Sequence, residues 1–167
     1  VLTLTVGSGR LHNGTLYTVS FVLQNLASAQ SSPSVSVQAS VVSADGPLDG
    51  ESVVAAMAKP GSNALGVAQG ADPLLVHVPT FSTGAIGQTN PLASASNRLT
   101  VTLVPDCDME AGTNVTVSGL TGSLTAAGLD LNISVPDSFR SASTWSNSSG
   151  VLTLTVGSGR LHNGTLY

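Results

Sequence analysis

Three carboxylates, Asp106, Asp108 and Glu110, occupy alternate positions in the run Pro105-Asp106-Cys107-Asp108-Met109-Glu110. Hard oxygen donors grouped this way are what calcium takes, as in inter-domain sites of adhesion repeats, but the glycine and the terminal glutamate of an EF-hand loop are missing. An acidic loop is usually only a solvated one, so the run is a weak calcium candidate, and no other metal or cofactor is expected. Cys107 is the only cysteine. No disulfide can close within the chain, so a buried free thiol is the expected state, with a bridge to a neighbouring chain as the alternative in an oxidising compartment. His12 and His77, with the third histidine His162 repeating His12, have no G-x-S-x-G elbow to present a serine to them. Gly7, Gly9 and Gly14 are followed by no Gly-Lys-Ser/Thr and no receiving helix, so they read as turn glycines rather than a phosphate cradle. No catalytic residue is expected, and the chain is read as not an enzyme.

A second kind of chemistry is carried by asparagine. Asn13, Asn114, Asn132, Asn147 and Asn163 each open an Asn-x-Ser/Thr sequon, the acceptor for N-linked glycans on exposed segments of secreted chains. Asn114 precedes inward Val115 and Asn132 lies between inward Leu131 and Ile133, so both are expected to face solvent, as are the loop positions Asn13 and Asn147. Glycans answer a compositional question. Only 8% of the residues are charged, for a net charge of −4, against about 25% in an average soluble domain. With Lys59 and four scattered arginines there is no basic stripe, which excludes nucleic acid and anionic lipid as partners. The longest purely apolar run, Val53 to Ala58, is too short for a membrane span, and no signal peptide is recognisable.

The elements that position these residues read as strands. Leu2, Leu4 and Val6; Tyr17, Val19, Phe21 and Leu23; Val35, Val37, Ala39 and Val41; Leu74, Val76 and Val78; Leu99, Val101 and Leu103; Val115 and Val117; and Leu129, Leu131, Ile133 and Val135 alternate with small polar residues, the period-2 signature of half-buried strands. Gly, Pro, Asn and Asp clusters separate them, and only Ser52 to Lys59 has helical leanings, as one or two helical turns or a short strand. About eight strands predict an all-β Ig-like sandwich.

Residues 151–167, VLTLTVGSGRLHNGTLY, repeat residues 1–17 letter for letter at a spacing of 150. A fixed spacing of this length marks a tandem array of whole domains, although an artificial overlap of two ends produces the same letters. The expected organisation is residues 1–6 as last strand of the preceding repeat, 7–15 as inter-repeat linker, 16–156 as the sandwich unit, and 157–167 as the start of the next linker and repeat. In it, Leu152, Leu154 and Val156 complete the unit, following a short Asn147 to Gly150 hairpin turn, while Leu2, Leu4 and Val6, lacking a domain of their own, insert into a neighbour.

The runs LTLTV, GRLHNGTLYTVSFVLQN, QSSPSVSVQAS and RLTVTLVP, with AGTNVTVSGLTGSLTAAG, resemble Ig-like repeats of very large extracellular or surface proteins of unicellular algae. The likeness leaves out Asp45 to Asp72. It implies a secreted or cell-surface tandem protein with structural or adhesive duty and supplies no catalytic residues. Residues and resemblance together point to a glycosylated extracellular fibre whose partners are copies of itself. The alternative is an adhesin or stalk recognising glycans or calcium-bridged partners, although Trp145, the only tryptophan, reads as junction packing rather than as a sugar platform.

Overall fold

A computed structural model describes residues 1–43, 46–127, 131 and 133–167, with the backbone alone for residues 43, 46–53 and 140–143. Among these residues the chain is all-β, without a helix, and its seven strands form three small antiparallel sheets. Strand β1 (Ser36–Ser43) pairs with β2 (Gly46–Ala56), and β3 (Phe81–Gln88) pairs with β4 (Leu99–Pro105). Strands β5 (Asn114–Val117), β6 (Phe139–Ser146) and β7 (Val151–Val156) form the third sheet in the order β5-β7-β6. No helix among the described residues is long and apolar enough to cross a membrane.

The alternation Val151-Leu-Thr-Leu-Thr-Val156 explains the central place of β7. Leu154 is 8% exposed and Val156 fully buried, while Thr153 and Thr155 take the half-buried phase. Leu154 is registered with Val115 of β5 and Ser143 of β6, so both neighbours read the same strand. The expected hairpin turn joins β6 to β7, with the Gly150 amide donating to the Asn147 carbonyl at 3.2 Å. Gly150 sits at φ 62°, and a Cβ there would meet the Thr121 amide nitrogen at 2.6 Å, so only glycine fits that close approach. Trp145 packs beside the turn, its indole N–H donating to the Thr125 carbonyl at 3.0 Å.

One core serves two of the sheets. Cys107, Met109, Val115, Phe139, Leu154, Val156 and Leu161 are buried together, and Phe81 of β3 and Leu103 of β4 pack against them. A compact chain of 16.6 kDa exposes about 7,600 Å² by size scaling, whereas this one exposes 12483 Å². Much of the excess lies in residues 1–29, where Leu4, Phe21 and Leu23 are all more than 60% exposed.

Several strands stand elsewhere than the alternation places them. Residues 1–6 and 17–23, with exposed side chains, have no strand, nor do the described residues of 129–135; Val76 makes only an isolated bridge to Gln30. Leu129 and Asn132 lie outside the described residues. Conversely, Phe81–Gln88 and Phe139–Ser146 are strands that alternation did not signal. Gly84 and Gly87 weaken the first by composition, and the second is rich in Ser and Thr; both form because a long apolar neighbour pairs with them. The Ser52 to Lys59 stretch enters β2 as far as Ala56 rather than a helix. Residues 157–167, read as the start of the next linker and repeat, pack onto the described core and contribute the fully buried Leu161.

The duplicated segment supplies its own control. Leu154→Ala is expected to lower stability by about 2–5 kcal/mol, the usual cost of truncating a buried leucine. Its copy Leu4→Ala should leave denaturant unfolding within about 0.5 kcal/mol of the parent, as exposed substitutions do.

Candidate functional site

The residues singled out by their chemistry meet where the second copy of the repeat docks on the segment after β4. The chain leaves β4 at Pro105 through a bend at Asp106 and Cys107, and Met109 and Leu161 exchange both backbone hydrogen bonds, at 2.8 and 2.9 Å. Leu103 and Tyr167 do the same at 2.9 and 2.8 Å, and the Gly164 amide donates to the Pro105 carbonyl at 2.9 Å. Residues 161–167 therefore run antiparallel to residues 103–109. The Tyr167 ring meets Phe139 edge to face at 6.3 Å, a favourable aromatic geometry.

Between these backbone clamps sits Asp108. Its Oδ1 accepts the Asn163 backbone N–H at 2.9 Å, its Oδ2 accepts from Arg160 at 3.3 Å, and His162 Nδ1 lies 3.9 Å from Oδ1. The Asn163 N–H, foremost, holds the Asp108 carboxyl below the ordinary carboxylate range, with the Arg160 hydrogen bond and the nearby His162 acting the same way against a smaller effect of burial. Arg160 also reaches Glu110 at 3.2 Å. Asn163 closes the far side, its Nδ2 donating to the Gly66 carbonyl at 2.7 Å. Gly66 has φ 72°, and a Cβ there would stand 2.6 Å from the Asn163 Cβ and 3.0 Å from Asp108 Oδ1. The docked segment can lie this close only against glycine.

Asp106 belongs to a neighbouring cluster. Its carboxylate contacts His77 Nε2 at 3.2 Å and accepts the Thr80 N–H at 2.8 Å. Burial works to raise its pKa, but the Thr80 amide and then His77 outweigh burial and hold it below the ordinary value. Cys107 is buried, and burial, reinforced by the Asp106 charge, pushes its thiol up. The ligand atoms of His77, Asp106 and Cys107 lie within 4.8 Å of one another, a grouping that Asp106, Asp108 and Glu110 do not make among the described residues. A nitrogen, oxygen and sulfur donor set suits zinc better than calcium. In the present geometry the same atoms satisfy one another, and a raised thiol pKa is the opposite of what activates a cysteine nucleophile.

The sequons fall in different settings. Asn13 is exposed in a turn, and Asn114 is exposed at the start of β5, its Oδ1 accepting from Thr155 Oγ1 at 2.9 Å. Asn147 is half-buried in the β6–β7 turn. Asn163, the copy of Asn13, uses for docking the amide nitrogen on which a glycan would be built. Arg160, His162 and the role of Gly66 are what sequence reasoning missed. The one signal for Arg160 and His162 was the identity of residues 157–165 with residues 7–15, and Gly66 had none.

Because the folded chain lowers the Asp108 pKa, its contribution to docking is complete above the ordinary carboxylate range and is lost as pH falls through the lowered value, below about pH 4. Protection factors of the Leu161 and Tyr167 amides, corrected for the intrinsic pH dependence of exchange, should therefore fall on acidification. Asp108→Asn should remove most of that pH dependence, and Gly66→Ala should lower protection both above and below that range. No family model matches the chain, and no curated protein or solved structure matches it either.

Proposed function

We propose that the chain is a structural repeat unit of an extracellular glycosylated fibre, its units coupled by tandem linkage and by strand complementation. The observation that carries this reading is that one 17-residue sequence occurs in two states. In the second copy it supplies β7 and the buried Leu161; in the first, Leu2, Leu4 and Val6 are 58%, 63% and 50% exposed with no strand. A row that is core in one place and bare in another is a strand waiting for a partner. Residues 1–6 are thus the last strand of a preceding unit, and residues 151–156 complete the unit that precedes them. The shared core between β3–β4 and the β5-β7-β6 sheet supports a two-layer Ig-like sandwich of about eight strands.

The sequons and the low charge support a secreted or cell-surface setting in which glycans keep the sides of the fibre hydrated. Calcium at Asp106, Asp108 and Glu110 is not needed by this reading, since His77, the Thr80 and Asn163 amides and Arg160 already partner those carboxylates. Docking through these contacts is the proposed link between beads.

Two shortened chains test the reading. Residues 24–167, which keep the second copy and lose both free apolar rows of the first, should be monomeric in sedimentation at every concentration. Residues 1–150, which keep only the first copy, should form head-to-tail polymers that grow with concentration as residues 1–6 enter the vacant place between β5 and β6 of a neighbour. A monomeric, folded 1–150 chain in which the amides of residues 1–6 exchange freely would overturn strand complementation, since closure onto its own β5 and β6 would protect them. For the native material, glycosidase treatment and peptide mapping should show Asn-to-Asp conversion at two or more of Asn13, Asn114, Asn132 and Asn147; unmodified asparagine at all four removes the glycoprotein part.

A further inference from the structure

Among the described residues, strand β4 has one side paired with β3 and one side open beyond Tyr167. The N–H and C=O of Leu103 both bond Tyr167, and in an antiparallel strand alternate residues present these groups to the same edge. Val101 and Leu99 therefore present theirs to the edge where Tyr167 sits, with the described chain ending there. Cover falls away along the same row: Leu103 packs against the core, Val101 is half-buried, and Leu99 is 46% exposed.

In the first copy the residue equivalent to Tyr167 is Tyr17, and the chain continues Thr18-Val19-Ser20-Phe21-Val22-Leu23. The docked copy fixes the register. Leu161 opposes Met109 and, past the turn at Asn163 and Gly164, Tyr167 opposes Leu103 in the same register. Carried onward, it places Val19 opposite Val101 and Phe21 opposite Leu99. Directly opposed residues in an antiparallel pair share a face, so Tyr17, Val19 and Phe21 fall on the core-facing side and Thr18 and Ser20 on the other. A slip of one residue would reverse every one of them. In this chain the same residues are stranded in solvent: Val19 is 57% and Phe21 62% exposed.

We propose that the open edge of β4 receives residues Tyr17–Leu23 of the following copy of the repeat, making β3 and β4 a three-stranded sheet and placing the working boundary between units after Leu23 instead of before Leu16. This rests on the tandem reading above and deepens it. Each bead then takes two strands from the next copy: the Val1–Val6 equivalent between β5 and β6, and the Tyr17–Leu23 equivalent on β4. The local geometry is ready for it. In both copies the tyrosine hydroxyl accepts the histidine backbone N–H, at 3.0 Å from His12 to Tyr17 and 2.9 Å from His162 to Tyr167, so the turn that aims the strand forms before docking.

The test appends the sequence of residues 18–25 to the full chain after Tyr167 and follows amide exchange residue by residue. Protection at Val101 and Leu99 should rise by at least about tenfold, because ladder amides exchange only on local opening. The same chain with one serine inserted after Tyr167 should lose that gain while Leu154 stays protected. Unchanged exchange at Val101 and Leu99, with Leu161 and Tyr167 protected, overturns this inference and leaves the tandem docking standing. Rapid exchange at Leu161 and Tyr167 as well overturns both.

Discussion

The insertion of Val151–Val156 between β5 and β6 is the interaction on which the described core depends. Strands β5 and β6 do not pair with each other; each is held by β7. Leu154 and Val156 are two of the seven residues of the buried hydrophobic cluster among the described residues, and the Val156 backbone bonds Thr113 and Gly112 at 2.8 and 2.9 Å. The run of residues 157–161 then follows from β7, because Leu161 reaches the Met109 backbone only once Val156 is anchored. Asp108, Arg160 and Asn163 meet as a consequence of that anchoring.

Two identical segments compete for this one slot, and chain entropy separates them. The second copy is joined to β6 by a turn of four residues, Asn147 to Gly150, whereas the first must close a loop of more than a hundred residues to reach β5. At about 0.6 kcal/mol per doubling of loop length, the tethered copy is favoured by roughly 3 kcal/mol. Side chains cannot discriminate between them, since they are the same. The first copy is left with its apolar row in water, a state that the proposed array would relieve.

The junction is polar as well as apolar, in a chain with few charges to spend. Asp108 and Glu110 share Arg160, and Asp106 is matched with His77. The acidic alternation was visible in the sequence; its partners were not. Arg160 lies 52 residues from Asp108, and Asn163 lies 97 from Gly66. No local pattern reports such a pairing, and Gly66 looks like any turn glycine until Asn163 is placed against it. The strand assignments divide along the same line. Leu99 to Leu103, Val115 and Val117, and Val151 to Val156 became strands as alternation indicated, while Phe81–Gln88 and Phe139–Ser146 were strands only by virtue of their neighbours.

By itself the sequence determined the all-β character, through β-branched alternation and turn residues without a lasting helical period, and it determined the turn His-Asn-Gly-Thr-Leu-Tyr. That turn has the same hydrogen bond from the histidine N–H to the tyrosine hydroxyl, and the same positive φ at Gly14 and Gly164, 74° and 71°, whether the segment is bare or docked. Such contacts span five residues and close without help. What only the tertiary structure decided is which of two identical rows is buried and which alternating runs become strands. A strand's backbone and its apolar face are satisfied by a partner edge that is distant in sequence, so the letters of a segment state that it can pair, and the availability of an edge states whether it does.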